Sequence, residues 1–299
     1  MTAANSLYTG SEKPSPAASE NHRELPEGVD AKGQAVRRLL ADMGSVIVAF
    51  SGGVDSAYLA VTAKAVLGSR AVAITADSPS YSERHRALAI RIARDFDLQH
   101  EIVRTSELER TDYRANPANR CYFCKQELYT TLGAIARARG IAAIVDGSNA
   151  DDRGDYRPGR QAAHEHGVVS PLDAANLTKD EIRLLSRQQG LPTWDEPASA
   201  CLSSRIPYGS EVTDEKLRMI ERAEAVLFDL GFRVCRVRHH DTLARLELGP
   251  AEMMRALDPD VRAQIVRELK AIGYRYVSLD LQGYRLGSLN EALLLRPIQ

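Results

Sequence analysis

The chain has 299 residues, of which 44% are hydrophobic and 26% charged, and its formal net charge at pH 7 is −1. These values are ordinary for a soluble globular protein with room for two domains. Proteins that bind long nucleic acids usually have more basic than acidic residues, so a net charge near zero favours a small-molecule substrate. No apolar run approaches the roughly 20 residues that span a bilayer, and the N-terminus lacks the pattern of a secretory signal. We therefore expect a cytoplasmic protein that does not act at a membrane.

Residues 1–30 are rich in Ser, Pro, Ala, Glu and Asn without apolar periodicity, which predicts a disordered tail. From residue 31 to residue 208, short apolar runs alternate with helical patterns. The predicted strands are 45–50, 71–75, 100–104, 141–145 and 167–170, and the predicted helices are 31–43, 57–67, 82–96, 124–139 and 178–189. This alternation is typical of an α/β fold with a mostly parallel sheet covered by helices.

A Pro-rich, irregular stretch at 191–208 marks the predicted junction to a second, smaller α/β domain at 209–299. The predicted helices of that domain are 214–230 and 260–272, and its predicted strands are 232–237, 243–248 and 274–279.

A loop with two adjacent glycines follows the first predicted strand directly and precedes a helix. Glycines let a backbone approach an anion closely, and the helix start adds free N–H groups and its dipole. Hydroxyls can contact phosphate oxygens, and a carboxylate can hold Mg²⁺. The residues that we expect to bind phosphate or Mg²⁺ are Ser51, Gly52, Gly53, Asp55 and Ser56. The spacing differs from that of a Walker loop and of the dinucleotide fingerprint. A Gly-rich turn with a Ser cap and no ligand is the alternative.

Three of the four cysteines are candidates for chemistry. Cys121 and Cys124 form a C-x-x-C pair at a predicted helix start, and Cys201 lies in the Pro-rich stretch. A C-x-x-C pair serves metal binding or thiol redox chemistry. A structural zinc site wants a fourth ligand, whereas three thiolates suit an iron–sulfur cluster with one iron open to an exogenous ligand. A structural or incidental pair stays the alternative, and we expect Cys235 to be a small core or surface residue.

The loop at 51–56 resembles the pyrophosphate-binding loop of the ATP pyrophosphatases, which include GMP synthetase, NAD synthetase and tRNA thiolases. These enzymes cleave ATP between the α and β phosphates and adenylate a substrate oxygen. The resemblance implies a similar sheet, with adenine near the end of the second strand, around Ala76 and Asp77.

Four further segments narrow the resemblance, and they lie at 119–125, 146–159, 197–209 and 274–288. Together they are similar to the ATP-dependent sulfur transferases of nickel-pincer cofactor synthesis, the LarE family linked to lactate racemase. The match runs in order from about residue 31 to the C-terminus. It implies an enzyme that adenylates the carboxylates of pyridinium-3,5-biscarboxylic acid mononucleotide and converts them to thiocarboxylates. It also implies a homo-oligomer.

Some members of this family sacrifice one cysteine, at the position of Cys201, whose sulfur leaves with the product. Others carry two further cysteines and hold a [4Fe-4S] cluster that delivers sulfide. Because Cys121 and Cys124 are present, the resemblance implies a cluster on all three cysteines, with Cys201 as a ligand. The sequence does not identify the sulfide donor. The implied cofactors are ATP, Mg²⁺ and the cluster, and the implied catalytic residues are Cys201, Asp55 and Ser56.

Substrate-binding candidates follow from position and from the resemblance. Asp152 lies after the fourth predicted strand, on the side where ligands bind, and Arg157 is near enough to pair with phosphate. A solvated acidic turn explains Asp152 nearly as well. Beside Ser204, Arg205 matches a family position near the substrate phosphate. The last two candidates, Arg236 and Arg238, alternate along a strand, and an anionic mononucleotide would suit this basic face. An ordinary solvated face is the alternative, and it explains Arg236 equally well.

The chemistry agrees with these residues, because AMP leaves far more readily than a carboxylate oxygen and a soft sulfur nucleophile can then attack the acyl carbon. Two alternatives stay open. A tRNA thiolase would need a basic RNA-binding surface, which the near-neutral charge does not indicate. A nucleotide-binding regulatory protein without turnover would not need Asp55, Ser56 and Cys201 together. The paired histidines at 239–240 are expected in a solvent-exposed loop.

Overall fold

The computed structural model describes residues 25–154, 157–197, 200–285 and 287–291. Most of the predicted tail therefore lies outside the described residues. The helices are α1 (Val29–Met43), α2 (Val54–Leu67), α3 (Glu83–Asp95), α4 (Thr111–Arg114), α5 (Arg120–Arg139), α6 (Pro158–Glu165), α7 (Pro171–Ala174), α8 (Lys179–Gln188), α9 (Asp214–Asp229), α10 (Met253–Ala256) and α11 (Pro259–Ile272). The strands are β1 (Val46–Ala49), β2 (Ala71–Asp77), β3 (Gln99–Arg104), β4 (Ala143–Val145), β5 (Cys235–His240), β6 (Leu243–Leu248) and β7 (Tyr276–Leu279).

Four strands form a parallel sheet in the order β3-β2-β1-β4, as the sequence predicted. Strand β1 lies between β2 and β4, and its Val46 is paired with Ala71 on one side and with Ala143 on the other. Its residues are almost completely buried because helices cover both faces of such a sheet, so the strand is a continuous apolar run. Parallel strands end at one edge, and the loops that follow β1, β2 and β4 therefore come together there.

Helix starts differ from the predictions in a way that matters for the site. Helix α2 begins at Val54 rather than at residue 57, so Asp55 and Ser56 lie in its first turn. Helix α5 begins at Arg120 rather than at residue 124, so its first two turns carry both thiols of the C-x-x-C pair. The predicted Ser82 cap is confirmed, as is the Thr178 cap, which forms a capping box with Glu181.

Two strand predictions were wrong. The run at 167–170 makes only one bridge, between Val145 and Val169, because Gly167 has a φ of +65° and Pro171 already begins a helix. The strand expected at 232–237 is instead β5, Cys235–His240. Arg236 and Arg238 of β5 are buried, so the apolar residues of the sequence do not reveal which part of this segment forms the buried strand. Four short helices, α4, α6, α7 and α10, were not predicted.

The second sheet joins β5 and β6 in antiparallel pairing and β6 and β7 in parallel pairing, with α9 and α11 beside it. Its own core includes Leu227, Phe232, Cys235, Leu246 and Leu269, so Cys235 is a core residue. A separate apolar cluster crosses the expected boundary near residue 208 and contains Tyr113, Leu202, Ile206, Val212, Leu217 and Ile220. The division into domains stays a prediction. In the part of the chain that the structure describes, no helix has the length and apolar character needed to cross a membrane.

Candidate active site

The loop after β1 is closed by a small network of hydroxyl groups. Ser56 Oγ accepts a hydrogen bond from the backbone N–H of Ser51 at 3.2 Å and lies 3.1 Å from Ser51 Oγ. The same hydroxyl donates to the carbonyl of Gly53 at 3.1 Å. Ser56 therefore fixes the curvature of the loop, while the side chain of Ser51 is exposed at its mouth. The free N–H groups at the start of α2 can then face an anion.

Two glycines allow close backbone packing around this loop. Gly52 has a φ of +71°, and a Cβ there would lie 3.0 Å from the backbone of Ala89. A Cβ on Gly147 would lie 3.0 Å from the backbone nitrogen of Ser56. The loop after β4 thus presses against the first turn of α2, and any side chain at either position would displace backbone atoms.

Acidic and basic side chains meet beside the loop. Asp55 forms an ion pair with Lys179, the first residue of α8, and accepts a hydrogen bond from the Asn149 side chain at 3.4 Å. Asp152 is buried and pairs with Arg157 at 3.0 Å. Burial raises the pKa of Asp152, and the nearby carboxylate of Asp55 raises it further. Carboxylates gathered in this way are suited to Mg²⁺ or to a cationic group.

The end of β2 opens at the same edge of the sheet. Ala76 and Asp77 are partly exposed there, and Asp77 lies 3.5 Å from the guanidinium of Arg86. An adenine position at this strand end stays a prediction.

The structure brings the three candidate cysteines together. Cys121 is exposed, and Cys124 and Cys201 are partly buried. Each pair of the three thiols interacts electrostatically, and protein atoms crowd even the exposed thiol, so desolvation and neighbouring sulfur raise the pKa of Cys121. The pKa of Cys124 is raised by burial first and then by the carboxylate of Glu107. We call Cys121, Cys124 and Cys201 the three-cysteine cluster.

The spacing of these thiols bears on which metal they can hold. Across the described ranges, no group of three or more His, Cys, Asp or Glu side chains is arranged to hold a metal ion. A single ion needs its ligands within one coordination sphere, whereas a cluster of several irons separates its thiolates more widely. Three thiols that interact with one another supply the type of donor that an iron–sulfur cluster needs, and the cluster itself stays a prediction.

Polar groups surround the three-cysteine cluster. The hydroxyl of buried Tyr113 lies 2.5 Å from Ser203 Oγ, and the guanidinium of buried Arg120 donates to the carbonyl of Ser203 at 3.0 Å. On the other side, the carboxylate of buried Glu107 accepts hydrogen bonds from Ser80 Oγ at 2.7 Å and Thr105 Oγ1 at 2.9 Å. These contacts hold the backbone on both sides of the thiols.

The segment after β2 connects the cysteines to the loop after β1. The carbonyl of Ser80 accepts a hydrogen bond at 2.9 Å from the N–H of Leu202, the residue after Cys201. The adjacent Tyr81 donates its hydroxyl proton to the carbonyl of Ser51 at 2.8 Å. We call residues 200–205, which contain Cys201, the cysteine turn, and the loop at 51–56 is the predicted phosphate-binding loop. Two consecutive residues therefore connect both of them to the end of β2.

Ser204 and Arg205 bond to the backbone of the segment that contains Cys201. The guanidinium of Arg205 is buried and makes two 2.9 Å bonds to the carboxylate of Glu224. It also donates to the carbonyls of Ala200 and Cys201 at 2.6 and 2.9 Å, and Ser204 Oγ donates to the latter at 2.7 Å. Both residues hold the cysteine turn, and contact with substrate phosphate stays a prediction for them.

The interpretation of a solvated strand face was wrong for β5. Arg236 and Arg238 are only 7% and 6% exposed. Arg238 donates to the carbonyl of Ser204 at 2.6 Å and to Glu247 at 2.8 Å, so buried acceptors compensate its charge. His239 is buried too, contrary to the exposed loop that was expected, because β5 extends through it and the hydroxyl of Tyr274 bonds its ring at 3.0 Å.

A cavity of about 200 Å³ opens between α3 and α9, and its lining includes Ser82, His85, Arg205, Glu224 and Arg236. Burial, together with the neighbouring guanidinium groups, lowers the pKa of His85 to about 4, so its ring is neutral at pH 7. The cavity thus offers both positive charge and a neutral ring to a ligand.

Three residues of this site were missed by the sequence analysis, namely Lys179, Arg120 and Glu107. Lys179 pairs with a residue 124 positions away, and the partners of Arg120 and Glu107 include residues 83 and 27 positions away. Only the position of Arg120 inside the 119–125 segment gave any indication.

The parallel sheet, with a glycine loop at the carboxyl end of β1 and carboxylates beside it, defines a nucleotide-binding protein of the ATP pyrophosphatase class. In agreement, the asparagine synthase family matches residues 30–151.

Similarity to individual proteins narrows this class. An uncharacterized protein of Synechocystis sp. is 44% identical over 265 residues, which cover 89% of this chain and 99% of the relative. Pyridinium-3,5-bisthiocarboxylic acid mononucleotide synthase of Lactiplantibacillus plantarum is 36% identical over 255 residues, or 85% of this chain and 92% of that protein. A GMP synthase of Aeropyrum pernix is 26% identical, over 65% of this chain and 41% of that protein. The chain belongs to the family of the Lactiplantibacillus synthase, which confirms the resemblance to the LarE family of sulfur transferases.

Proposed function

We propose that this enzyme activates the carboxylates of pyridinium-3,5-biscarboxylic acid mononucleotide with ATP and replaces an oxygen of each by sulfur. The observation that carries the proposal is the joint anchoring of the cysteine turn and the phosphate-binding loop by Ser80 and Tyr81. Adenylation and sulfur attack must occur at the same acyl carbon, so the two sets of residues must lie side by side. The bisthiocarboxylic product in the name of the Lactiplantibacillus relative agrees with this chemistry.

The first step is the formation of an acyl adenylate. The substrate carboxylate attacks the α-phosphorus of ATP, and pyrophosphate leaves. The backbone N–H groups and hydroxyls at 51–56 would hold the departing pyrophosphate, with Mg²⁺ carried in by ATP at Asp55 and Asp152. Lys179 lies against Asp55 and would supply a further positive charge to the phosphates.

The second step is attack of sulfur on the acyl carbon, with AMP as leaving group. Cys121, Cys124 and Cys201 would hold a [4Fe-4S] cluster, and one iron without a protein ligand would offer a place for exogenous sulfide. Arg205 and Ser204 fix the carbonyl of Cys201, so its thiol is held in place while the nucleotide changes. In this account Cys201 is retained rather than consumed. The identity of the sulfide donor stays open.

Arg236 lines the cavity between α3 and α9 and would supply positive charge to the phosphate of the mononucleotide. Arg238, whose charge Glu247 compensates, would act on the substrate by positioning the backbone of Ser204. The ring of His85 is neutral at pH 7, so it would not repel the pyridinium cation.

ATP–pyrophosphate exchange tests the adenylation step. We expect exchange when pyridinium-3,5-biscarboxylic acid mononucleotide is added and none with ATP alone. Replacement of Asp55 by Asn should abolish it, whereas Asp97→Asn, at an exposed position, should leave it unchanged. Exchange that needs tRNA instead would show a tRNA thiolase, and no exchange with either would show a non-catalytic nucleotide-binding protein. The net charge of −1 gives no support to the tRNA alternative.

The cytoplasmic location and the homo-oligomeric state that the family implies stay predictions. So does the link to a lactate racemase.

A further inference from the structure

Arg120 carries a buried positive charge that lacks an acidic partner. The residue is only 2% exposed. Its guanidinium donates to the carbonyl of Ser203 at 3.0 Å and to the side-chain oxygen of Asn116. Within the described ranges, no carboxylate lies within salt-bridge distance of it. A buried cation held only by neutral acceptors is costly, so an anion is expected nearby.

The other buried arginine beside the cysteines shows what full compensation looks like. Arg205 makes two 2.9 Å bonds to the carboxylate of Glu224, and both residues are buried. Arg205 is therefore neutralised by the protein itself. Arg120 differs from Arg205 because it has no carboxylate partner, although both guanidinium groups donate to backbone carbonyls within residues 200–203.

Sulfur occupies the position in which a counter-charge would be expected. Arg120 directly precedes Cys121 in the chain, and its guanidinium donates to the carbonyl of Ser203, two residues after Cys201. It interacts electrostatically with the thiols of both cysteines. Both are members of the three-cysteine cluster. A thiol is neutral when protonated, so Arg120 is compensated only when these sulfurs, or a group bound to them, carry negative charge.

Asn116 fixes the orientation of the Arg120 guanidinium. Asn116 donates its amide protons to the carbonyls of Ile206, Pro207 and Ser210, at 3.3, 2.8 and 3.0 Å. These three contacts leave the amide oxygen directed at Arg120. The guanidinium is thus preorganised before any anion binds, which reduces the entropic cost of recognition.

We propose that Arg120 is the fixed counter-charge for anionic sulfur at the three-cysteine cluster. Three thiolates with a [4Fe-4S]²⁺ core are anionic overall, and exogenous sulfide adds further negative charge. Arg120 stabilises that charge and is a positioning residue. This inference deepens the proposed function and rests on it for the identity of the sulfur group.

Thiol-reagent kinetics on the iron-free full chain test the counter-charge directly. The second-order rate with anionic dithiobis(nitrobenzoate) is divided by the rate with neutral dithiodipyridine, which removes differences in thiol access. We expect this ratio to fall about five-fold in Arg120→Gln, the effect of one charge at about 4 Å in water-like surroundings. Arg120→Lys should keep the ratio within about two-fold, because it preserves the charge. An unchanged ratio in Arg120→Gln would overturn the proposal.

The matched control is Arg139→Gln, on the same helix but at its exposed end, where the native arginine pairs with Glu101. Its ratio should equal that of the native protein. Urea unfolding of each variant identifies loss of folding, and Arg120→Lys keeps the test valid if Arg120→Gln does not fold. An equal fall in both Arg120 variants would indicate a purely structural role and would also overturn the proposal.

A second measurement uses anaerobically reconstituted protein. The reduced cluster carries one more negative charge, which Arg120 stabilises, so Arg120→Gln should lower its midpoint potential while Arg120→Lys stays close to the native value. A potential that is unchanged or raised in Arg120→Gln counts against the counter-charge. If the native protein binds no iron, the cluster part of the proposed function fails, and the reagent ratio alone decides the role of Arg120.

Discussion

Asp55, in the first turn of α2, forms an ion pair with Lys179, the first residue of α8, although 124 positions separate them in the chain. The pair brings two helix N-termini to the loop after β1. In the proposed adenylation step, this cation and this carboxylate would lie beside pyrophosphate and Mg²⁺. Both partners are partly exposed, so an incoming nucleotide can reach them.

Removal of the ammonium group of Lys179 should weaken ATP binding. We expect Lys179→Met to raise the KM for ATP about ten-fold, which corresponds to the loss of one charged hydrogen bond of roughly 1.5 kcal/mol. Lys179→Arg should recover part of the loss. Steady-state pyrophosphate release at saturating mononucleotide measures the effect. Lys64→Met, which removes an exposed pair with Asp97, is the control and should leave KM unchanged. An unaltered KM in Lys179→Met would exclude a phosphate contact.

Iron binding should depend on three of the four cysteines. Anaerobic purification should give about four irons and four acid-labile sulfides per chain, as a [4Fe-4S] cluster requires. Cys121→Ser, Cys124→Ser and Cys201→Ser should each reduce both contents sharply, since each would remove one of the three proposed ligands. Cys235→Ser is the internal control, because that residue lies in the core of the second sheet. Zinc in place of iron would instead support a structural site.

Removal of one partner of the buried ion pair between Arg205 and Glu224 should strongly destabilise the protein. Glu224→Ala leaves a buried guanidinium without its carboxylate, so we expect the free energy of unfolding to fall by about 3–5 kcal/mol. The double replacement Arg205→Met, Glu224→Met should recover most of that loss, because no unpaired charge stays buried. Urea unfolding measures both.

An exposed pair gives the comparison. Glu101→Ala breaks the contact with Arg139 and should cost less than about 1 kcal/mol. If Glu224→Ala costs no more than Glu101→Ala, the account of the Cys201 turn as held by a buried ion pair is wrong.

His239 should make stability depend on pH. Burial and the charge of Lys216 lower the pKa of its ring to about 4, although Asp241 opposes the shift. The unfolded chain takes up a proton near pH 6.5, whereas the folded protein does so only near pH 4. His239 therefore stabilises the fold fully above about pH 6.5, and its contribution is lost as the pH falls towards 4. When the pH falls from 7 to 5, the free energy of unfolding should decrease by about 2 kcal/mol less in His239→Gln than in the native protein. Urea unfolding at both pH values measures this difference. His164→Gln, at an exposed position, should match the native protein.

The parallel sheet was predictable because its strands are continuous apolar runs such as Val46–Ala49, bounded by helices with capping residues such as Ser82 and Thr178. The Gly-rich loop between β1 and α2 was predictable because its residues are contiguous. By contrast, β5 was misplaced because Arg236 and Arg238 are buried against acceptors that are distant in sequence, and a hydrophobic pattern cannot show such compensation.

The other residues of the candidate site come together only through contacts between segments that are distant in sequence. The gathering of Cys121 and Cys124 with Cys201 was inferred from the family resemblance and not from spacing, since 77 positions separate Cys124 from Cys201. The counter-charge from Arg120 and the support from Glu107 depend on how the segment after β2 packs on the turn at Leu202. No periodicity along one segment encodes that packing.

Multiple-turnover product analysis tests the central claim most directly. The anaerobic enzyme is supplied with ATP, Mg²⁺, sulfide and pyridinium-3,5-biscarboxylic acid mononucleotide, and thiocarboxylate product and the Cys201 peptide are both measured by mass spectrometry. The account predicts several product molecules per chain and an unmodified Cys201. Product that stops at one sulfur per chain, with Cys201 converted to dehydroalanine, would contradict it.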